Sequence, residues 1–200
     1  MAAGFILEGI TGSGKSSTLA ALAERRDFQI MLGRGEIFSE EVTFGDFMQE
    51  SREDPYSIVR LETTLAKIEH EARRDTRYVY VLERFHFSYN TFAHEWSIYH
   101  SIEKRLNVLN CGVILLTIPE EQVLARSLDR ADMVGTDWVE QMVAFFGSYE
   151  AAVTGIVESS RRRRDDVRSS ILPSVEIDTS SSDWNAYAAT AVKFLRQVSR

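Results

Sequence analysis

The sequence predicts an α/β fold in which helices cover both faces of a parallel sheet. Short apolar runs alternate along the chain with longer segments of helical period. The short runs number five, and each fits a strand buried under helices on both faces. No Pro-, Ser- or Gly-rich linker divides the 200 residues, so we expect a single domain over residues 1–200.

Each expected strand is an apolar run bounded by residues typical of turns. The five runs are residues 5–8, 28–32, 78–82, 113–118 and 174–177. The expected helices follow the segments of helical period, at residues 15–26, 44–50, 58–73, 87–109, 120–130, 138–163 and 184–198. Pro119 ends the fourth strand, and Ser182 or Asp183 is expected to cap the last helix.

Charge and cysteine content exclude several classes of function. The net charge of −7 disfavours nucleic acid and anionic membranes as partners, because both attract a positive surface. Cys111 is the single cysteine, which excludes an internal disulfide and a cysteine-rich zinc site. No apolar run reaches the roughly 18 residues of a membrane span, and the N-terminus lacks the basic start of a signal peptide. We therefore expect a cytoplasmic protein.

The chain carries one run of four arginines, at residues 161–164. Such a run could bind phosphate groups. Two acidic residues follow it at once, Asp165 and Asp166, and they cancel much of its field. Because positive charge also suits the C-terminus of a helix, the run is interpreted as a solvated helix end.

The segment after the first expected strand matches the phosphate-binding motif G-x-x-x-x-G-K-[ST]. A strand precedes it and a helix follows it, as the motif requires. Its glycines let backbone N–H groups approach phosphate oxygens, and the helix N-terminus adds partial positive charge. Lys15 can reach the β- and γ-phosphates, and the Ser16 hydroxyl can bind Mg²⁺. The predicted nucleotide-binding residues are Gly9, Thr11, Gly12, Ser13, Gly14, Lys15, Ser16 and Ser17.

The motif alone does not say what is done with the nucleotide. A GTPase would carry an Asn-Lys-x-Asp guanine-reading motif, and this sequence has none. Residues 132–135 match the D-x-x-G switch motif, but they follow a helical, Arg-rich segment rather than a strand. A GTPase switch is therefore not favoured.

Two charged residues, Glu83 and Arg84, follow the third expected strand. A carboxylate at the carboxyl end of a buried strand faces loop-bound phosphates across the sheet edge. Glu83 could hold Mg²⁺ or orient the acceptor, and Arg84 could neutralise phosphate charge. The alternative is an ordinary surface salt bridge between the two.

A second pair of charges, Arg126 and Arg130, follows the fourth expected strand. A spacing of four residues places both guanidinium groups on one face of a helix. Such a pair can close over transferring phosphates as a lid and spread transition-state charge. The alternative is ordinary solvated helix charge paired with nearby acids.

These motifs, in this order, resemble the P-loop nucleoside and nucleotide kinases, within them the deoxynucleoside kinase and thymidylate kinase group. Residues 7–9 resemble the family's opening into the P-loop, and residues 54–57 resemble the stretch before its substrate helix. Residues 82–85 resemble its Glu-Arg-Ser motif, and Arg126 and Arg130 match its lid arginines. The likeness runs over about residues 4–195.

The resemblance implies a three-layer α/β/α fold with a five-stranded parallel sheet in the order 2-3-1-4-5 and a lid at about residues 126–137. It implies ATP and Mg²⁺ as cofactors, and pairing of subunits through the long helices. Asp178, after the last strand, is expected near the adenine. Phosphate and magnesium roles fall on Lys15, Ser16, Glu83, Arg84, Arg126 and Arg130, with Ser16 and Glu83 as the metal ligands.

The resemblance also implies a catalytic base when the acceptor is an alcohol. In the nucleoside kinases this base is a Glu just after the second strand. Here Glu36 is the first choice, since it follows the apolar run at 28–32, while Glu40 and Glu41 are rivals. If the acceptor is already a phosphate, no base is needed, and Arg34 could bind it, as in the thymidylate kinases.

The acceptor site departs from the family pattern. Phe85 replaces the Ser of the Glu-Arg-Ser motif, and Tyr89 lies shortly after it. The base-reading Gln of the substrate helix has no counterpart, and its place falls at Glu62 or Thr63. A site built to hydrogen-bond the edge of a pyrimidine through an amide would read something different here, so a modified nucleoside or another small alcohol stays open as the acceptor.

Taken together, these residues predict an ATP-dependent kinase acting on a hydroxyl of a nucleoside-like or other small molecule. A nucleoside monophosphate kinase is the alternative within the same class. An ATP-binding regulatory module that hydrolyses ATP slowly is the alternative from another class. Acceptor dependence of ATP turnover separates the kinases from the module.

Overall fold

A computed structural model describes residues 1–39, 54, 56–93, 95–129 and 136–200, with side chains for all of these except 91–93 and 136. The predicted helix at 44–50 lies outside the described residues, as do Glu40, Glu41, Arg130 and most of the predicted lid. No helix in the described ranges is long and apolar enough to cross a membrane.

Five parallel strands form one sheet in the order β2-β3-β1-β4-β5, as predicted. The strands are β1 (Ala3–Glu8), β2 (Glu36–Ser39), β3 (Val79–Glu83), β4 (Cys111–Thr117) and β5 (Ser174–Asp178). The three central strands β3, β1 and β4 are buried along their whole length, which explains their continuously apolar sequences. Because all strands are parallel, their carboxyl ends meet at one edge, which we call the carboxyl edge.

Helices cover both faces of this sheet. The described helices are α1 (Lys15–Glu24), α2 (Arg26–Leu32), α3 (Ile58–Arg74), α4 (His86–Ala93), α5 (His100–Val108), α6 (Glu120–Val123), α7 (Thr136–Phe146), α8 (Tyr149–Ser169) and α9 (Trp184–Val198). Helices α1, α2 and α9 pack on one face, and α3, α4, α5 and α8 pack on the other. The last helix begins where the sequence predicts, with the Asp183 carboxylate accepting a hydrogen bond from the Ala186 N–H at 3.0 Å.

The prediction for the second strand is wrong. The apolar run at 28–32 belongs to α2, and the strand lies further on, at Glu36–Ser39. Gly33, in the left-handed region with φ of +52°, ends α2. Gly35 then passes so close to β3 that a Cβ atom there would lie 1.9 Å from the Val79 carbonyl oxygen. The chain can therefore enter the sheet only after these two glycines.

Three predicted helices are divided in the structure. The segment 87–109 splits into α4, a 3-10 turn at Trp96–Tyr99, and α5. The segment 138–163 splits into α7 and α8 at Gly147, whose φ is +88°, and Ser148 caps α8. The segment 120–130 begins as α6 and continues as a π-helical turn at Leu124–Leu128.

Candidate functional site

The phosphate-binding motif forms the loop between β1 and α1, at the carboxyl edge. Gly12 and Gly14 have φ of +81° and +90°, a conformation that favours glycine. A Cβ atom at Gly12 would lie 2.2 Å from the Arg126 carbonyl oxygen, and one at Gly14 would lie 2.3 Å from the Trp184 ring. Gly14 occupies the N-cap position without a side-chain cap, so α1 begins with backbone N–H groups suited to an anion.

Side chains from two other elements hold the loop from outside. The Ser127 hydroxyl donates to the Thr11 carbonyl at 2.7 Å, and the Thr179 hydroxyl donates to the Ser13 carbonyl at 2.8 Å. Thr179 is fully buried and also lies 3.0 Å from the Thr117 carbonyl. These bonds fix the shape of the loop before any ligand arrives, which is the preorganisation that phosphate binding requires.

Lys15 is buried beneath this loop with only 5% of its surface exposed. Its ammonium group donates to the Gly9 carbonyl at 2.5 Å and to the Ile10 carbonyl at 3.0 Å. Burial, and then the nearby charge of Arg84, lower the pKa of Lys15 from 10.5 to about 7. A phosphate beside it would favour the charged form of this amine.

Glu83 and Arg84 lie at the same edge. The register pairs Leu7 with Glu83, and the Arg84 N–H donates to the Leu7 carbonyl at 3.2 Å. The Glu83 carboxylate is 8% exposed and accepts a hydrogen bond from Ser39, its neighbour on β2. Arg84 has φ of +59° and an exposed side chain. A strained backbone of this kind persists where the surroundings hold it, and here it follows directly on a buried carboxylate.

The magnesium prediction rests on Ser16 and Glu83. Ser16 is exposed as the second residue of α1, and Glu83 supplies a buried carboxylate, so the donor set is all oxygen, as Mg²⁺ prefers. Within the part of the chain that is described, no group of three or more His, Cys, Asp or Glu could hold a metal. One hydroxyl and one carboxylate fit an ion to which nucleotide phosphates supply further oxygen ligands.

Arg126 reaches the end of β5 at Thr179, the residue after Asp178. The Arg126 guanidinium donates to the Thr179 carbonyl at 2.7 Å and lies over the Trp184 ring at 5.8 Å. Asp178 is exposed and accepts a hydrogen bond from the Ser180 N–H at 2.8 Å. An aromatic ring and a guanidinium together offer two flat surfaces on which a nucleotide base can stack.

The structure does not bring Glu36 or Arg34 to this edge, so these two expectations are corrected, while the predicted role of Glu62 toward the acceptor stays a prediction. Glu36 is the first residue of β2, away from the carboxyl edge, and it accepts a hydrogen bond from the Lys67 ammonium at 2.6 Å. Arg34 precedes β2 and is exposed at that same opposite edge. Glu62 is ion-paired with Arg105 and so joins α3 to α5.

Phe85 and Tyr89 are almost completely buried in the core between the sheet and helices α3 to α5. Phe85 packs edge-on against the ring of His86 at 5.6 Å between centroids. Their predicted role toward the acceptor stays a prediction, as do the roles of Glu41 and Arg130, which lie outside the described residues. Ser17 is exposed on α1 beside Ser16.

The sequence interpretation missed two charged residues at this site, Glu8 and Arg163. Glu8 is fully buried at the end of β1, and the Nε atom of Arg163 lies 3.2 Å from its carboxylate. The solvated interpretation of the arginine run is therefore wrong for Arg163. The signal was available in the helical period, because Arg163 continues the buried stripe of Ala152, Ile156 and Val167 on α8.

No family model and no curated protein matches this sequence. The structure is similar to that of a deoxyadenosine kinase from M. mycoides with bound dATP. The TM-score is 0.54 at 14% sequence identity, over 96% of this chain and 98% of that one. The likeness shows a P-loop nucleoside kinase-like fold with the predicted strand order.

Proposed function

We propose that this protein is an ATP-dependent kinase that transfers the γ-phosphoryl group to a hydroxyl of a nucleoside-like or other small acceptor. The proposal is carried by one observation: a buried lysine and a buried carboxylate share the carboxyl edge behind a preformed phosphate loop. These residues are Lys15 and Glu83. Phosphoryl transfer depends on positioning and charge neutralisation, which is what this arrangement offers.

The donor site uses the loop, α1 and the end of β5. ATP supplies the phosphoryl group, and Mg²⁺ neutralises charge on its phosphates. The N–H groups at the start of α1 and the Lys15 ammonium bind phosphate oxygens, while Ser16 and Glu83 hold the ion. The base stacks on Trp184 and Arg126, and Asp178, at the end of β5, lies near the adenine in this proposal.

The acceptor is proposed to be a hydroxyl rather than a phosphate. Glu40 and Glu41 directly follow Ser39 in the sequence, and Ser39 is hydrogen-bonded to Glu83. We therefore propose Glu41, with Glu40 as its alternative, as the base that takes the hydroxyl proton. The position of Arg34 at the opposite edge weighs against a monophosphate acceptor.

We further propose that residues 126–137 form a lid of one kinase domain. Arg126 already lies beside the phosphate loop, since its carbonyl oxygen is within 2.2 Å of the ideal Cβ position of Gly12. In this proposal Arg126 and Arg130 spread the negative charge that develops during transfer, and Arg84 neutralises phosphate charge from the β3 side.

The test is detection of a phosphorylated product by mass spectrometry. Purified protein, ATP and Mg²⁺ are mixed with nucleosides, nucleoside monophosphates and small alcohols, and Lys15→Ala serves as the control. A gain of one phosphoryl group on a hydroxyl acceptor, lost in the control, is the expected result. A gain on monophosphates alone would replace the hydroxyl proposal. Slow ATP hydrolysis unaffected by every acceptor would instead support a regulatory module.

A further inference from the structure

The four arginines at 161–164 differ in their surroundings, and Arg163 stands apart. The other three pair with partly exposed acids on the surface: Arg161 with Glu120, Arg162 with Glu158, and Arg164 with Glu176. The Arg163 side chain is only 13% exposed. Arg163 lies on the buried side of α8, so its side chain extends between the sheet and α4 toward the carboxyl edge.

The partner of Arg163 is a carboxylate with no exposed surface. The Arg163 Nε atom lies 3.2 Å from the Glu8 carboxylate, which also accepts a hydrogen bond from the Ser88 hydroxyl at 3.0 Å. Desolvating two charges costs free energy, and a buried ion pair can often be replaced by apolar groups without loss of stability. Packing of α8 against α4 therefore does not by itself require charges at this point.

Glu8 connects this ion pair to the phosphate loop through a single residue. The Gly9 N–H donates to the Glu8 carboxylate at 3.0 Å, and the Gly9 carbonyl accepts from the Lys15 ammonium at 2.5 Å. Both polar groups of Gly9 are thus fixed, one from each side. A continuous chain of contacts runs from Arg163 through Glu8 and Gly9 to Lys15.

Charged groups from several elements surround the loop at this edge. Lys15 lies beneath the loop, Glu83 and Arg84 lie at the end of β3, and Glu8 and Arg163 reach the loop from β1 and α8. Three cations thus gather at one edge around two carboxylates, Glu8 and Glu83, an arrangement that complements a polyphosphate.

We infer that Arg163 is a positioning residue of the phosphate site, which acts through Glu8 and Gly9 on Lys15 and thereby ties α8 to the phosphate loop. The inference rests on the nucleotide binding of the proposed function and not on the identity of the acceptor. Arg163 contributes a fixed guanidinium that holds the Glu8 carboxylate, and a charge that makes the site more receptive to anions.

The experiment measures MgATP affinity by calorimetry, without any acceptor, in the full-length chain. Arg163→Gln and Glu8→Gln are each expected to weaken binding about tenfold. The double variant should bind no more weakly than either single variant, because both residues act through the same chain of contacts. Arg164→Gln, from the same run, is the matched control and should bind like the wild type.

Two independent structural losses would add in the double variant. Wild-type affinity in Arg163→Gln, or additive losses in the double variant, would overturn the inference. If Arg163→Gln fails to fold by circular dichroism, Arg163→Lys decides: it keeps the charge without the guanidinium that contacts Glu8, so weaker binding than in the wild type is expected. Wild-type affinity in Arg163→Lys would overturn the inference. Since no acceptor is present, failure of the kinase proposal would leave these results unaffected.

Discussion

The two faces of the sheet are built differently. On the face covered by α1, α2 and α9, the buried side chains of the described residues are apolar almost throughout, and the charged Lys15 and Glu83 lie at the carboxyl edge. On the face covered by α3, α4, α5 and α8, polar groups are buried deep among aromatic rings. These groups are Glu8, His86, Ser88, Asn90 and Glu103. We call the face covered by α1, α2 and α9 the apolar face, and the face covered by α3, α4, α5 and α8 the polar face.

Alternation along the strands decides which face each site residue joins. Glu83 continues the series of Val79 and Val81 and so belongs to the apolar face, on the side of α1. Glu8 follows Ile6 and belongs to the polar face. The apolar face therefore forms a rigid platform whose reactive groups lie at the carboxyl edge. The polar face ties its helices to that edge through charge and hydrogen bonds.

The largest expected effect lies at the edge that the two faces share. Lys15→Ala should lower phosphoryl transfer by about a thousandfold, as expected for loss of a group that stabilises transferring charge. The fold should be retained, because the substitution removes a buried ammonium group and not an apolar side chain of the hydrophobic core. Product formation and circular dichroism provide the two readouts. Lys67→Ala, which removes an exposed lysine paired with Glu36, is the control, and full transfer by Lys15→Ala would refute the P-loop mechanism.

Next in size is a change confined to the apolar face. Leu195 is fully buried on α9, and Leu195→Ala should lower the free energy of unfolding by about 3 kcal/mol. MgATP affinity should stay unchanged at temperatures where the variant is folded. Urea unfolding and calorimetry test the two halves of this prediction. A large loss of affinity in the folded variant would show that the apolar face is more than a platform.

The base assignment gives a smaller effect on turnover. Glu41→Gln should lower kcat by about a hundredfold, because general bases typically contribute that much or more. Glu36→Gln is the matched control, since Glu36 lies away from the carboxyl edge and is paired with Lys67. Initial rates with the identified acceptor provide the measurement. If Glu40→Gln and Glu41→Gln both keep full turnover, neither is the base.

The smallest effect is a pH dependence set by Lys15. Because the pKa of Lys15 is lowered to about 7, the ammonium loses its proton above that pH in the free protein. MgATP affinity should therefore fall above pH 7, by at most about tenfold per pH unit. The unfolded chain keeps the proton up to about 10.5, so this group makes the free energy of unfolding rise with pH between the two values. Lys15→Met should remove both dependences, and their persistence in that variant would exclude Lys15 as the source.

Much of the scaffold was predictable because its signals are local. The P-loop motif, the buried strands β1, β3 and β4, the edge strand β5 and the start of α9 each follow from a few consecutive residues. The second strand was not predictable in this way, since the run at 28–32 is too short for its period to separate helix from strand. The true strand, Glu36–Ser39, is short and carries little apolar signal.

The site was predictable only where sequence neighbours are also spatial neighbours. Glu83 and Arg84 were found because they end a buried strand. Arg163 was missed because the charges of Asp165 and Asp166 were considered in sequence order. The helical period, which places Arg163 on the buried side of α8, was not considered. The Ser127 and Thr179 hydroxyls that hold the loop come from residues more than a hundred positions away, a juxtaposition that only the fold creates.

The π-helical turn at Leu124–Leu128 carries a consequence for comparing this chain with others. Its wide winding, closed by the Asp129 N–H on the Leu124 carbonyl at 3.1 Å, holds one residue more than an α-helical turn. Deleting that residue would restore an α-helix. It would also rotate the residues after the deletion by about 100° about the helix axis relative to the residues before it. An alignment with a chain of the same fold that has a regular α-helix at this place therefore needs a one-residue gap inside the helix.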